Sequence, residues 1–215
     1  EYAPGSLEDG PAQADGYRYA PVPDLMHLER LVPGGEGTLW LLKRFTAPPG
    51  FRDKRWSVLL GTIVPVDETF LNGEFIGGRG VFPTGGKRFF SDWNRFRRYE
   101  ISSLILKEGE NRLLVKIYVN HEGSLNGIIA LGERSAMERV FRTQDFIRFH
   151  LNLIVAFIMV TTALFLLAII YLQWPRGAPN LYLVATCLLF SFYVINFIVT
   201  RLPLDIDRLM SYHAF

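Results

Sequence analysis

Two stretches of this chain run for twenty residues or more without a charged side chain, and they limit its fold more tightly than any other feature. The first is LNLIVAFIMVTTALFLLAIIYL, Leu151 to Leu172, and the second is LYLVATCLLFSFYVINFIVT, Leu181 to Thr200. A helix rises 1.5 Å per residue, so about 20 apolar residues cross a hydrocarbon core roughly 30 Å thick. Core helices of soluble proteins rarely go so long without a charge. Residues 151–172 and 181–200 are therefore expected to be transmembrane helices. The linker QWPRGAPN suits a turn between antiparallel spans, and Tyr171 and Trp174 stand where interfacial aromatic residues belong. Asn152, Asn196, Thr161, Thr162, Thr186 and Ser191 are expected to hydrogen-bond from helix to helix. Residues 201–215 form a polar loop leading to a possible third helix, so the chain reads as the front end of something longer.

The first 150 residues are different in kind, holding most of the charge, glycine and proline. A net charge of +2 is too small to imply a nucleic-acid partner, and Cys187, the single cysteine, excludes an internal disulfide. The chain opens on Glu1 rather than Met, as expected of a mature form whose signal peptide has been removed. Residues 1–24, rich in Pro, Gly and Ala, read as an extended arm. From residue 25 to 134 the pattern is one of short strands: 38–47, 56–63, 67–71, 74–76, 96–101, 111–119 and 127–132. The run WSVLLGTI (56–63) is almost wholly apolar, as a strand buried on both faces would be. Between 67–71 and 74–76 stands Asn72-Gly73, the strongest short hairpin signal available, since both residues tolerate positive φ. Strands at about ten-residue spacing, with little helical period, predict an all-β sandwich. Residues 135–150 (SAMERVFRTQDFIRFH) return to helical spacing and read as a juxtamembrane helix, a stiff link able to transmit a displacement.

At this point a family resemblance enters. LLGTIVPVDETFLNGEFIGGRGVFP, RRYEISSLILKEGENRLLVKIY and NGIIALG resemble, in that order, the galactose-binding-like jelly roll found as a non-catalytic domain in β-galactosidases, β-glucuronidases and sialate O-acetylesterases. A jelly roll followed by apolar spans resembles the bacterial seven-transmembrane receptors with diverse intracellular signalling modules. The resemblance implies an ectodomain and the first two of seven helices, ahead of a cytoplasmic effector. It also implies a structural role for Asp67 and Glu68, with an acidic side chain at the sandwich edge accepting backbone N–H bonds from a neighbouring loop.

No catalytic pattern competes with that reading. Asp67 and Glu68 are adjacent in a strand and face opposite sides, so they cannot flank one glycosidic bond. The four histidines (27, 121, 150 and 213) lack metal spacing, and TGGK (84–87) lacks the spacing of a phosphate loop. No enzyme activity and no cofactor are expected. Recognition is expected instead from Gly78–Phe96 and Asn120–Gly127, which supply Arg79, Lys87, Arg88, Trp93, Asn120, His121, Glu122 and Asn126. Aromatic faces, guanidinium forks and amides suit a carbohydrate-like or anionic ligand. The other class open to the same residues is an interaction subunit whose jelly roll docks a protein partner.

Orientation rests on two opposed signals. Arg134, Arg139, Arg142 and Arg148 precede the first span and only Arg176 lies in the short linker, which by count puts the β domain in the cytoplasm. A large domain led by a signal peptide is translocated largely regardless of charge. The expectation is a multi-pass protein of the bacterial inner membrane with its β domain periplasmic or extracellular.

Overall fold

The computed structural model describes residues 1–83 and 91–196. The chain divides after Arg142 into a β-rich unit that begins at Glu1 and a helical unit that begins at Thr143. The β-rich unit is a sandwich of two antiparallel sheets. The larger has the order β1-β2-β7-β4-β5, from Tyr2–Gly5, Glu36–Thr46, Glu110–Asn120, Val66–Leu71 and Glu74–Arg79. The smaller has the order β6-β3-β8, from Phe96–Ile101, Trp56–Val64 and Ser124–Glu133. Leu39, Leu41, Leu113, Val115 and Ile117 of the first sheet meet Trp56, Val58, Leu60, Ile63 and Ile101 of the second in one core. Fully burying such side chains contributes about 1.5–3 kcal/mol each.

The hairpin turn forms at Asn72-Gly73 with φ of 51° and 90°, both positive as its tight geometry requires. Asn72 does more than turn the chain. Its amide donates to Ile105 O at 2.8 Å and to Asn111 Oδ1 at 2.9 Å, and its Oδ1 accepts from Arg112 N. Asn111, fully buried, in turn closes the Lys107–Gly109 turn through Lys107 and Gly109 carbonyls. The Asn-Gly turn and the Gly-Glu-Asn turn are thus one hydrogen-bonded knot.

Strand β3 is buried along nearly its whole length, as its composition predicts. Its inner side chains enter the core. On the other face, helix α2 (Arg134–Asp145) lies against the sheet through its first turns. Phe141 stands 6.4 Å from Phe96, Arg98 lies over the Phe141 ring at 5.0 Å, and Arg98 pairs with Glu138. Here α1 is the short helix Pro11–Asp15. Pairing of β3 with β8 shifts at Gly61, whose φ is 65°. A Cβ there would sit 2.0 Å from Asn126 O, so only glycine fits.

Residues 1–24 are more than the extended arm that their composition suggests. Tyr2–Gly5 adds a strand to the large sheet, and Ala14, Tyr17 and Tyr19 pack on Trp40, Leu42, Leu114 and Phe70. The reason lies in β2, which is apolar on both faces. Leu39 and Leu41 point into the sandwich, while Trp40 and Leu42 point out and need a cover.

Helical residues run on from Arg134 to Leu172, with a π-helical turn at Phe146–His150 before α3 (Leu151–Leu172). A second helix, α4, spans Leu181–Asn196. Both are long and apolar enough to cross a membrane. They pack along a seam of Ala156, Ala163 and Ile170 against Val184, Cys187, Ser191 and Val194. Spacing of seven on one helix, and of three and four on the other, is the pattern of closely packed antiparallel helices. Small side chains let the backbones approach. Among the described residues the expected helix-to-helix hydrogen bonds do not form. Asn152, Thr161, Thr162, Thr186 and Ser191 each donate to the carbonyl four residues back in their own helix. In an apolar setting that acceptor is always within reach, whereas a partner across the seam requires a matching polar residue. The end of the second apolar run, 197–200, and residues 201–215 lie outside the described residues, as does the side chain of Asn196.

Candidate ligand-binding end of the sandwich

Strand register decides which loops are neighbours. Val64 pairs with Ser124, Thr62 with Phe96, Asp67 with Arg79, Val66 with Tyr118 and Glu36 with Asn120. The β3–β4 corner, the β5–β6 segment, the β7–β8 turn and the residues before β2 therefore share one end of the sandwich. Arg79 and Ile117 flank Asp67 across two strand spacings, roughly 10 Å. The chain leaves the sandwich through Glu133 at the opposite end, beside Trp56.

Asp67 organises this end from within. It is buried, and Arg97 Nε donates to its Oδ1 at 2.8 Å while Tyr99 Oη donates to Oδ2 at 2.6 Å. Thr69 adds a longer bond to Oδ2. The expectation of backbone N–H partners is corrected: the acceptor sites are filled by side chains from β6 and β4. Arg97, also fully buried, donates onward to Ile63 O and to the carbonyls of Asp92 and Arg95. Asp67 thus orients a guanidinium that clamps residues 92–95 of the β5–β6 segment. Burial pushes the Asp67 carboxyl upward against the opposing pull of Arg97, and burial beside Asp67 pushes the Tyr99 phenol well up. Glu68, on the other face as strand geometry requires, stands opposite Lys116. Tyr118 Oη donates to Glu36 Oε1 at 2.6 Å at the same end.

The expected recognition residues divide into three groups. Arg79, His121 and Glu122 are at this end with exposed or partly exposed side chains, and Arg79 pairs with Asp92 at 2.9 Å. His121 has φ of 55° and donates its N–H to Gly35 O at 2.7 Å, which fixes the β7–β8 turn against the residues before β2. Trp93 is partly buried beside Arg97's clamp. Two positions differ from expectation. Asn120 is buried at the end of β7, because the strand continues inward to that residue. Asn126 belongs to β8 rather than a loop, opposite Thr62, since the turn is over by Ser124. Lys87 and Arg88 lie outside the described residues. Among the described residues no group of three or more His, Cys, Asp or Glu is placed to hold a metal ion.

Sequence reasoning missed Lys116 and Trp40. The signal available was a single cation in LLVKIYV, where the alternation of β7 calls for an outward residue.

The fold and this end of it define a class, a two-sheet antiparallel β-sandwich followed by two helices long and apolar enough to span a membrane. Comparison with known proteins adds the following. No family model and no curated protein matches the chain. Among solved structures it is similar to β-glucuronidase of Ruminococcus gnavus, at 20% identity and a TM-score of 0.32 over 39% of this chain and 12% of that one. The same enzyme in complex with uronic isofagomine gives 20% identity, a TM-score of 0.31 and the same shares of the two chains. Its apo structure gives 24% and 0.29, again over 39% of this chain and 12% of that one.

Proposed function

We propose that this chain is the ectodomain and first two spans of a bacterial sensory receptor resembling the seven-transmembrane receptors with intracellular signalling modules. In this reading the sandwich is a galactose-binding-like jelly roll. It faces the periplasm and binds a carbohydrate-like or anionic ligand, and the helices pass the signal to further spans and a cytoplasmic effector. The observation that carries the reading is the gathering of Arg79, His121 and Glu122 at one end, where Arg97 clamps residues 92–95 and His121 N–H ties the β7–β8 turn to Gly35 O. A guanidinium, an imidazole and a carboxylate suit a hydroxyl-rich or anionic partner.

One observation favours the second class, a membrane-anchored subunit that docks a protein. Ile128 and Ile129 are exposed on β8, an edge strand of the small sheet.

The test has two arms. In lipid nanodiscs the full chain is titrated calorimetrically with neutral and acidic sugars. Saturable binding that Arg79→Ala and His121→Ala each weaken about tenfold or more supports the receptor reading. Orientation is read on spheroplasts with an impermeant thiol reagent, using Cys187→Ser with single cysteines at Glu122 and Gln173, both exposed. Gly177 is unsuitable, because a Cβ there would meet Ile170 Cα at 2.9 Å. Labelling at 122 alone is expected, and labelling at 173 alone would remove an external ligand from consideration.

A further inference from the structure

The outer face of the large sheet holds a buried cation on which the carboxylates of Glu68 and Asp9 act through space, without a contact ion pair among the described residues. Lys116 stands on β7 between Trp40 and Glu68, and is only 6% exposed. Its Nζ donates to Leu7 O at 2.7 Å and Asp9 O at 2.9 Å, both neutral acceptors, and it makes no ion pair among the described residues. The rings of Trp40 and Phe82 lie 5.6 and 5.3 Å from the ammonium. An ammonium has three N–H donors, and two are used here.

Two more donors nearby are idle. Trp40 Nε1 and Thr38 Oγ1 are buried and have no hydrogen-bond partner among the described residues. Both belong to β2 on the same outward face, one opposite Lys116 and the other opposite Tyr118. Buried donors are normally satisfied, and a buried cation is normally paired. Packing alone does not call for a lysine, since Leu114 fills the equivalent outward position two residues earlier on β7.

The cover over this patch is the first part of the arm. Gly5 lies against Trp40, where a Cβ would come within 2.6 Å of Cδ1. Ser6–Asp9 forms a closed turn through Asp9 N to Ser6 O and Ser6 N to Asp9 Oδ2, and Tyr17 Oη bonds that same carboxylate. The arm therefore presents two carbonyl oxygens to a cation and a bare backbone to an indole. Those are poor substitutes for an anionic group and a ring.

We infer that the patch is an anion-accepting subsite in which Lys116 receives the carboxylate or phosphate of a ligand whose ring lies on Trp40, with the Ser6–Asp9 turn filling the place until that ligand arrives. The ligand class is a hydroxylated ring carrying one anionic group, a sugar acid or a sugar phosphate. Its oxygens replace Leu7 O and Asp9 O on the ammonium, and its hydroxyls give Trp40 Nε1 and Thr38 Oγ1 the acceptors that the arm does not. The subsite lies on the outer sheet face and is separate from Arg79 and His121.

The experiment uses the full chain in nanodiscs, titrated calorimetrically with galacturonate, glucose 6-phosphate and neutral galactose. Hydrogen exchange of residues 2–9 is followed with and without each compound. At least one anionic sugar is expected to bind saturably, with galactose about tenfold weaker or more, and exchange at residues 6–9 should rise on binding. Lys116→Met, which keeps the stem and removes the charge, should weaken that binding about tenfold or more, while Lys107→Met, which removes an exposed lysine outside both sites, leaves it within about twofold. If Lys116→Met does not fold, Trp40→Phe tests the same patch, because it keeps a ring and deletes the indole donor. About threefold weaker binding is then expected. Failure of both anionic sugars to bind, unchanged exchange at residues 6–9, or unchanged affinity in the patch variants overturns the inference. Binding abolished by Arg79→Ala and kept by Lys116→Met would overturn it too, while supporting the loop-end site.

Discussion

Asp67 and Lys116 are both buried charges on neighbouring strands, yet they are held in opposite ways. Asp67 has a guanidinium and a phenol on its two oxygens, so its charge is matched. Asp67→Asn keeps the volume and removes the charge, which leaves Arg97 buried without its partner. Loss of one member of a buried pair costs about 3–5 kcal/mol, and thermal unfolding of the variant should show a loss of that order. Lys116 has no such partner. Desolvation by burial holds its ammonium below the ordinary lysine range, and Glu68 and Asp9 only partly oppose that. Its folded pKa is thus lower than its unfolded one, and the unfolded chain binds more protons between the two values. Stability attributable to this residue therefore rises with pH, from the folded pKa up to the unfolded value of 10.5. Melting curves of the natural chain and Lys116→Met, compared between neutral pH and the unfolded lysine pKa, should show the natural chain gaining on the variant. A flat difference would mean that burial does not act on Lys116 as described.

At the level of elements, turns and strands were far more legible than the contacts between them. Asn72-Gly73 is a local signal, and the structure places a tight turn there because both residues accept positive φ. The burial of β3 on both faces was readable from WSVLLGTI, although its cover, helix α2, was not. Partners of Asp67 could not be read at all. Arg97 is thirty positions away on a strand of the other sheet, and no local pattern reports such a meeting. Burial of Asn120 and pairing of Asn126 were missed for a related reason, since Asn and Gly signal a turn without fixing where the strands resume. The arm was misread because Ala14, Tyr17 and Tyr19 are too sparse to show a period. Glycine positions give the sharpest test at this scale. Gly73→Val, at φ of 90° but in open space, should cost more than about 1 kcal/mol. Gly61→Ala adds a Cβ 2.0 Å from Asn126 O and should cost clearly more, by strain and by disturbing the β3–β8 register. Chemical denaturation of the two variants would rank them, and the reverse order would contradict the bulge geometry.

For the whole molecule, the helical unit has its own internal logic. Its seam is closed mostly by small and branched side chains, and Thr161, Thr162, Thr186 and Ser191 turn their hydroxyls back on their own helices. Cys187 lies in that seam, 8% exposed, and is the single cysteine of the chain. The protein thus carries a natural gauge of helix separation. A small permeant alkylating reagent reaches the thiol only when α3 and α4 part, so the alkylation rate in nanodiscs measures how often they do. Ala163→Phe, which wedges a ring into a fully buried position, should speed that rate severalfold. Any ligand that moves the pair would write its effect into the chemistry of one sulfur atom, with no probe added to the chain.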